Sequence, residues 1–367
     1  MSTPVRYSPA VEIIEADEAE TVRGLEEQFR IILDTTSQEY GHAVRSVHAK
    51  GHGIARGTLT VADNLPPELA QGVFAHPGSH EAILRLSTNA GDILDDSVRL
   101  PRGIALKILG VEGERLPGSE GDTTQDFLMV NGPAFAAPNP KKFLGNLKLL
   151  AKTTEKAEGA KKLLSSVLRA FEATLEAVGT QSATLISLGG AKPVHPLGAT
   201  YYSQTPFRYG DYIAKFQIVP VSGISDLADV TIDAAGRPDA IREEVDAILS
   251  TQGGSWELRV QLCTDLDTMP VEDPTLVWDE EQSPFRTVAT LHVPPQSGWT
   301  PEASEATEDA LSFSPWHGIS AHRPLGAVNR ARRDSYVMSA QYRAKYSGCP
   351  VHEPRALSDL AAGEVRP

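Results

Sequence analysis

Arg332 and Tyr336 have the residue types and the spacing that could hold a metal ion. Residues four apart on a helix share one face, so the guanidinium can reach the phenol oxygen. A permanent positive charge beside a phenol favours the ionised form, and arginine keeps its charge at every accessible pH. A phenolate is a hard anionic ligand that suits ferric iron. Taken alone, however, the pair is better explained as an exposed pair on a basic helix.

A second candidate lies in the segment Arg45-Ser-Val-His48-Ala-Lys-Gly51-His-Gly53. Histidine is the side chain best suited to accept and return a proton near neutral pH. His48 and His52 have a helical chelating spacing, but Gly51 and Gly53 favour extended chain, which separates them by roughly 13 Å. Taken alone, His48 is better explained as a strand histidine packed inside a sheet.

Five segments, in chain order, resemble the motifs of haem catalases. They are Arg45-Ser-Val-His48-Ala-Lys-Gly51-His-Gly53, Leu84-Arg-Leu-Ser87-Thr88, Leu100-Pro-Arg-Gly-Ile-Ala-Leu-Lys107, Phe313-Ser-Pro315 and Arg332 with Tyr336. The family motifs are the distal histidine segment, Arg-Phe-Ser-Thr, Pro-Arg-Gly-Phe-Ala-Val-Lys, Phe-Ser-Pro and Arg-x-x-x-Tyr. The chain is identified as a short member of this family, because 31 residues follow Tyr336, where full catalases continue with a wrapping segment and a helical domain.

The resemblance implies that the protein binds haem b. Tyr336 would be the axial iron ligand, and Arg332 would keep it ionised. Arg45 and Arg85 would hold the haem propionates, because carboxylates prefer the paired donors of a planar guanidinium. Phe135 would line the distal wall, although a plain core role explains it equally well.

The resemblance also implies three residues for the chemistry. His48 would be the distal base, and Ser87 would hydrogen-bond His48 and fix its tautomer. The family places an asparagine before the Phe-Phe pair of its Asn-Thr-Pro-x-Phe-Phe motif, and here the segment Thr123-Thr-Gln-Asp-Phe127-Leu128 puts Thr123 at that position. A hydroxyl orients peroxide less well than an amide, so weak catalase activity is expected.

These expectations favour a haem peroxidase that reduces hydrogen peroxide or organic hydroperoxides and oxidises small organic donors. Loss of the C-terminal domain would open the haem to substrates larger than hydrogen peroxide. One alternative is an enzyme that rearranges a lipid hydroperoxide, similar to allene oxide synthase. Another is a non-catalytic barrel that binds haem or a different ligand.

The hydrophobic pattern predicts an α+β fold with an eight-stranded antiparallel β-barrel. Short apolar or alternating runs bounded by Gly, Pro, Asp and Asn form two groups of four, and closing them into a barrel removes exposed edges. A helical stripe separates the groups, an amphipathic helix is predicted from Ala10 to about Leu33, and a last helix is predicted to begin at Pro324. The predicted division is a helical arm (1–40), a barrel (41–295) with a helical insert (138–178), and a proximal segment with the haem-ligating helix (296–367).

The amino-acid composition excludes some classes of binding partner. The chain has 367 residues, with 34 Lys and Arg against 48 Asp and Glu, so its net charge is −14. That charge repels nucleic acid and anionic membranes. Two cysteines without a paired motif provide neither a disulfide framework nor a zinc site, which fits a reducing cytoplasm. Short catalase relatives are expected to pair as homodimers, and His317 and His322 are expected to be structural or to lie near a propionate.

Overall fold

A computed structural model describes residues 3–98, 100–154, 194–221, 223–348 and 351–360 of the chain. The strands are β1 (Gly51–Val61), β2 (Gly78–Thr88), β3 (Arg102–Ile108), β4 (Gln125–Val130), β5 (Tyr201–Tyr202), β6 (Phe207–Tyr209), β7 (Tyr212–Pro220), β8 (Gly254–Leu262) and β9 (Arg286–Val293). The helices are α1 (Glu18–Tyr40), α2 (Pro140–Thr154), α3 (Ala240–Thr251), α4 (Pro301–Ala310) and α5 (Ala327–Ser347). None of the helices in these ranges is long and apolar enough to cross a membrane.

Eight of the strands form a closed antiparallel ring in the order β5-β4-β3-β2-β1-β9-β8-β7. The short strand β5 closes the ring, because Tyr202 pairs with Val130 of β4 and Tyr201 pairs with Ile218 of β7. Strand β6 forms a hairpin with β7 outside this ring. The predicted eight-stranded antiparallel barrel is therefore confirmed.

Alternating side chains give each strand one face toward the barrel core and one face outward. On β2, Leu84 and Leu86 belong to the main apolar cluster, whereas Arg85 and Ser87 point to the other face. The interior is filled with aromatic rings, and it includes the buried His322, whose Nε2 accepts a hydrogen bond from the N–H of Val73 at 3.0 Å. The rings packed around His322 are Phe74, Phe127, Tyr209 and Phe216. The barrel interior is thus a core, and ligand space lies outside it.

Helices α1, α2 and α5 pack together beside the barrel wall that β2, β3 and β4 form. They share a small apolar cluster built from Leu25, Phe29, Leu144 and Ala331. Leu25 and Phe29 are four residues apart, so α1 presents one apolar stripe to the other two helices. The space between this helical layer and the barrel wall holds the candidate site.

The observed helices differ from the predicted ones at their ends. Helix α1 begins at Glu18, later than the predicted start at Ala10. The last helix begins at Ala327 and not at Pro324, because Pro324 forms a β-bridge with Phe207 and Gly326 has a φ of +84°, which favours glycine. Helices α3 and α4 were not predicted. The predicted insert at 138–178 contains α2, and the remainder of it lies outside the described residues. The division of the chain into arm, barrel and proximal segment stays a prediction.

Candidate active site

Two adjoining cavities lie between the barrel wall and the helical layer, with volumes of about 220 Å³ and about 60 Å³. Both are lined by Val47, His48, Val130, Arg332 and Tyr336. The larger cavity is bounded by the helices, and the smaller one by the outward face of β2, β3 and β4. The two sides of the predicted site, which are far apart in sequence, therefore line one continuous region.

The backbone at His48 holds the imidazole in a fixed direction. His48 has a φ of +54°, a conformation that costs a residue other than glycine roughly 1–3 kcal/mol. Its N–H donates to the carbonyl oxygen of Asn89 at 3.2 Å, and its carbonyl oxygen accepts from Nη2 of Arg85 at 2.9 Å. The ring nitrogen Nδ1 lies 3.0 Å from the hydroxyl oxygen of Ser87. Ser87 therefore occupies Nδ1, and Nε2 is the nitrogen that can exchange a proton with a ligand.

The surroundings of His48 keep it neutral. Burial and the positive charges of Arg85, Arg332 and Arg45 together lower the pKa of His48 to about 3. Each of these disfavours the imidazolium form, since burial removes its hydration and like charges repel it. Near neutral pH, Nε2 of His48 is thus unprotonated.

A glycine on the neighbouring strand leaves space for the imidazole ring of His48. Gly103 of β3 pairs with Ser87 on one side and with Val130 on the other. A Cβ atom at this position would lie 2.5 Å from Cε1 and 2.6 Å from Nδ1 of His48. Only a residue without a side chain allows the imidazole to pack this closely on the barrel wall.

We expect Gly103→Ala to displace the imidazole of His48 and to lower peroxide turnover by about 100-fold, because a misplacement of about 1 Å can have an effect of that size. Haem content and thermal stability should change little by comparison. The measurement is turnover per haem. Gly78→Ala on β2 is the matched control, since a Cβ there meets no atom within 4 Å. Equal turnover in both variants would contradict this account of His48.

Helix α5 brings Arg332 and Tyr336 to the cavities together. Both side chains are half-buried and line both cavities, one helical turn apart. Nη1 of Arg332 donates to Oδ1 of Asn329 at 3.3 Å, and its guanidinium lies 6.0 Å from the ring centroid of Phe135. Phe135 lines the larger cavity. The pair therefore faces ligand space and not bulk solvent.

A cluster of three arginines lies at the end of the smaller cavity. Arg45, Arg85 and Arg343 all contact Glu308, either at its carboxylate or at its backbone carbonyl. Burial is the largest influence on the pKa of both Arg45 and Arg343 and lowers each. Nε of Arg343 is buried and has no hydrogen-bond partner among the described residues. Three guanidinium groups around one carboxylate leave an excess of positive charge.

Arg343 was not identified from the sequence. It follows Tyr336 by seven residues, which places it on the same face of α5 two turns later. This spacing from Tyr336 could have identified Arg343 from the sequence.

The structure does not bring Thr123 to the site, and this assignment is corrected. Thr123 precedes β4, whereas the cavities are lined by Val130 at the other end of that strand. From Gln125 to Val130 alone the chain advances about 17 Å. The family spacing Asn-Thr-Pro-x-Phe is instead met by Asn131-Gly-Pro-Ala-Phe135, directly after Val130. Asn131 Oδ1 accepts a hydrogen bond from the N–H of Arg102 at 2.8 Å.

A buried ionic cluster fastens the chain on either side of α5 to the barrel. Lys107 donates to the two carboxylate oxygens of Asp126 at 2.7 and 2.9 Å and to Glu353 at 2.6 Å. Nδ1 of His317 lies 3.3 Å from Asp126 and 3.0 Å from Glu353. Asp126 also accepts from the N–H of Ser314 at 2.9 Å. His317 is therefore a structural residue of this cluster.

This cluster makes stability depend on pH. Burial disfavours the charged form of His317, but Asp126 and Glu353 outweigh burial and raise its pKa to about 9. Because the pKa is higher in the folded state than the ordinary value of about 6.5, the stabilisation is complete below pH 6.5 and is lost as pH rises toward 9. We expect the free energy of unfolding to fall over this range by at most about 3 kcal/mol.

Urea unfolding at pH 6, 7.5 and 9 measures this change. In His317→Gln the part of the pH dependence due to the imidazole should disappear. An identical pH dependence in the variant and the original protein would show that His317 does not carry the effect.

Comparisons with known proteins agree on one family. Residues 42–344 match the family model described as catalase. A fungal catalase structure has 23% sequence identity and a TM-score of 0.63, with coverage of 87% of this chain and 64% of that one. Catalase A from Saccharomyces cerevisiae has 22% identity and a TM-score of 0.63, with coverage of 96% and 69%. A bacterial catalase has 18% identity and a TM-score of 0.60, with coverage of 99% and 68%. No curated protein gives a significant match.

The fold and the matched residues define a β-barrel of the catalase type. The chain belongs to the catalase family. Members of this family are oxidoreductases that act on hydrogen peroxide. The chain spans 64% of the length of the fungal catalase.

Proposed function

We propose that this protein is a haem-dependent enzyme that reduces hydroperoxides and oxidises small organic donors. The observation that carries the proposal is that Tyr336 and His48 line the same two cavities. A phenol that can bind ferric iron and a neutral imidazole that can move a proton are the two groups this chemistry needs from the protein.

The residues around the cavities fit haem. The excess positive charge of Arg45, Arg85 and Arg343 suits the two propionates, which are carboxylates. Tyr336 would hold the iron, and Arg332 lies one turn earlier on the same face of α5. When bound, haem supplies the two-electron redox chemistry that no side chain of the protein provides.

His48 would transfer a proton between the two oxygen atoms of the peroxide. Its Nε2 accepts the proton of one peroxide oxygen and returns it to the other, which makes the second oxygen a better leaving group. Ser87 keeps the imidazole in one orientation through Nδ1 at 3.0 Å. Because the low pKa of about 3 keeps His48 uncharged, the base is available throughout the neutral range.

The lining of the larger cavity favours organic hydroperoxides as substrates. Its walls include Leu25, Phe29, Phe135, Phe143 and Val328, which are apolar. An apolar wall lowers the free energy of an alkyl group that leaves water. Thr123 lies away from both cavities and therefore gives no reason to expect weak catalase activity.

Disproportionation of hydrogen peroxide is the second candidate. It is favoured by membership of the catalase family, whose members act on hydrogen peroxide. Asn131 follows Val130 of the cavity wall, but it lines neither cavity, and its Oδ1 accepts from the N–H of Arg102.

One experiment separates the two candidates. The haem-loaded protein is mixed with hydrogen peroxide or an alkyl hydroperoxide, and both oxygen release and oxidation of a phenolic donor are followed. Donor oxidation with little oxygen supports the peroxidase, and vigorous oxygen release from hydrogen peroxide supports disproportionation. Loss of the alkyl hydroperoxide without donor oxidation would indicate rearrangement. A haem-bound protein with no turnover would indicate a binding protein and overturn the proposal.

The assembly and the location are further proposals. A homodimer would be detected by light scattering of the purified protein, and a cytoplasmic location by fractionation of the cells that make it. A monomer in solution would contradict the first, and recovery outside the cytoplasm would contradict the second.

A further inference from the structure

Gln204 is a buried polar residue of the larger cavity that the proposed function does not use. It follows β5, is 5% exposed and lines the cavity together with Phe135 and Val328. Its φ is +60°, which is unusual for a residue with a side chain. The N–H of Thr205 donates to the carbonyl oxygen of Ser203 at 2.7 Å and closes a three-residue turn around Gln204. Turns of this kind with a positive φ are rare and strained, so fixing this side chain costs free energy.

This turn is anchored to helix α5. The hydroxyl of Thr205 donates to Oδ1 of Asn329 at 3.1 Å, and Nδ2 of Asn329 donates to the carbonyl oxygen of Pro206 at 3.0 Å. Asn329 is fully buried. Because α5 also carries Tyr336, the turn holds Gln204 in a fixed position relative to the candidate iron ligand.

The amide group of Gln204 has a defined orientation. Its nitrogen Nε2 donates to the carbonyl oxygens of Gly132 at 3.0 Å and of Ala134 at 2.7 Å. Only the NH₂ end of an amide can donate, so the two carbonyls decide which end is the nitrogen. Oε1 accepts a hydrogen bond from none of the described residues. An acceptor left without a partner in a buried place costs roughly 1–3 kcal/mol, so Oε1 favours a ligand that can donate to it.

Haem would not supply this hydrogen bond. Arg45 and Arg85, which would hold the propionates, line the smaller cavity and not the larger one. The other edges of haem b carry methyl and vinyl groups, and none of these can donate a hydrogen bond. The partner of Oε1 is therefore a second molecule that carries an O–H or N–H group.

Gln204 and His48 lie on different sides of the cavity. His48 packs against Gly103 of β3, and Gly103 pairs with Val130, which in turn pairs with Tyr202 of β5. Two strand spacings, about 10 Å, thus separate β3 from β5. A hydroperoxide needs its O–H group at His48, so the group that meets Gln204 belongs to the organic donor.

The wall of the larger cavity favours a neutral aromatic donor. It includes Phe29, Phe135 and Phe143, and the ring centroids of Phe135 and Phe143 are 5.5 Å apart. Aromatic rings pack favourably against one another. An ionised carboxylate has no hydrogen to donate to Oε1, whereas a phenol hydroxyl has one.

We propose that Gln204 binds the hydroxyl group of the organic donor, a neutral phenol, through Oε1. This inference rests on the proposed function, because it concerns the donor that the same site would use. The neutral amide accepts a hydrogen bond and takes up no proton, so Gln204 binds the donor and does not act as a base.

The test compares phenol with anisole, whose methyl ether cannot donate a hydrogen bond. Their binding to the haem-loaded protein is measured by titration calorimetry. Gln204→Met keeps the length of the side chain and removes the amide. We expect the Kd for phenol to rise about fivefold, as the loss of one hydrogen bond implies, and the Kd for anisole to change by less than about twofold.

Gln341→Met is the matched control, since Gln341 is exposed on α5 and lies outside both cavities. It should bind phenol as the original protein does. An equal loss of affinity for phenol and for anisole in Gln204→Met would show that the variant acts through the shape of the cavity and would overturn the proposal.

A second variant protects the test if Gln204→Met fails to fold. Gln204→Lys keeps a donor for the carbonyl oxygens of Gly132 and Ala134 but has no acceptor. It should weaken the binding of phenol and spare that of anisole. A folded Gln204→Lys that binds phenol as tightly as the original protein overturns the proposal.

Steady-state kinetics distinguish the donor from the hydroperoxide. In Gln204→Met the KM for phenol should rise by the same factor as its Kd, and the KM for an alkyl hydroperoxide should stay unchanged. A rise in the KM for the hydroperoxide alone, or no change in either, overturns this inference and leaves the proposed function intact. No oxidation of phenol by the original haem-loaded protein overturns the proposed function itself.

Discussion

Tyr336→Phe will be purified with little haem, or with a Soret band at a different wavelength. The substitution keeps the ring and removes only the oxygen that would bind iron, so a change would report the loss of an iron ligand and not a packing defect. The measurement is the haem-to-protein ratio and the absorption spectrum after reconstitution with excess haem. This is the largest effect we expect from the loss of one atom, because the other contacts proposed for haem are to its edges.

Tyr342→Phe is the matched control for this variant. Tyr342 lies on the same helix, is half-buried, and donates its hydroxyl to Asp34 at 2.8 Å near the surface. It lies outside both cavities of the candidate site. Full haem content and an unchanged spectrum in Tyr336→Phe would remove Tyr336 from the site.

His48→Ala will keep haem but lose most peroxide turnover, by a factor of about 10²–10⁴, which is the usual contribution of a positioned general base. His80→Ala on β2 is the matched control, since Nδ1 of His80 lies against the carbonyl oxygen of Leu109. Turnover per haem is the measurement. Retained turnover in His48→Ala would mean that the chemistry does not use this base.

The pH profile provides an independent check on His48. With a pKa lowered to about 3, the imidazole stays neutral from pH 5 to pH 9, and turnover should show no loss from protonation of His48 within that range. A loss of activity with an apparent pKa near 6.5 would indicate that His48 is more hydrated than its burial implies.

The barrel could be predicted because its strands have local signals. In β9, for example, buried and exposed residues alternate from Ala289 to Val293. Alternating burial and flanking turn residues mark such strands without reference to the rest of the chain. The closing strand β5 has two residues, and its position in the ring depends on pairing with β4 and β7, which no local pattern contains.

Helix α4 could not be predicted from periodicity. Its sequence, Pro301-Glu-Ala-Ser-Glu-Ala-Thr-Glu-Asp-Ala310, has no large apolar residue, so no helical stripe identifies it. The position of Glu308 among the arginines therefore emerged only from the structure.

Some residues of the candidate site could be identified from sequence motifs, and others could not. The structure brings His48, Arg332 and Tyr336 to both cavities and Ser87 to the smaller one. Thr123 was misplaced because the alignment relied on a pair of large residues, whereas the pairing of Gly103 with Val130 decides which end of β4 faces His48. Strand register is set by long-range hydrogen bonds.

The closure of the ring also determines the order in which the candidate site can form during synthesis. Strand β1 pairs with β9 through Thr58 and His292, so one edge of β1 stays open until most of the chain has left the ribosome. His48 is made early and Tyr336 late, and neither can form the site without the other. Contacts between residues so distant in sequence form slowly. Under the proposed function, haem capture therefore requires α5, and a ribosome-stalled chain that ends before this helix should bind no haem at this site.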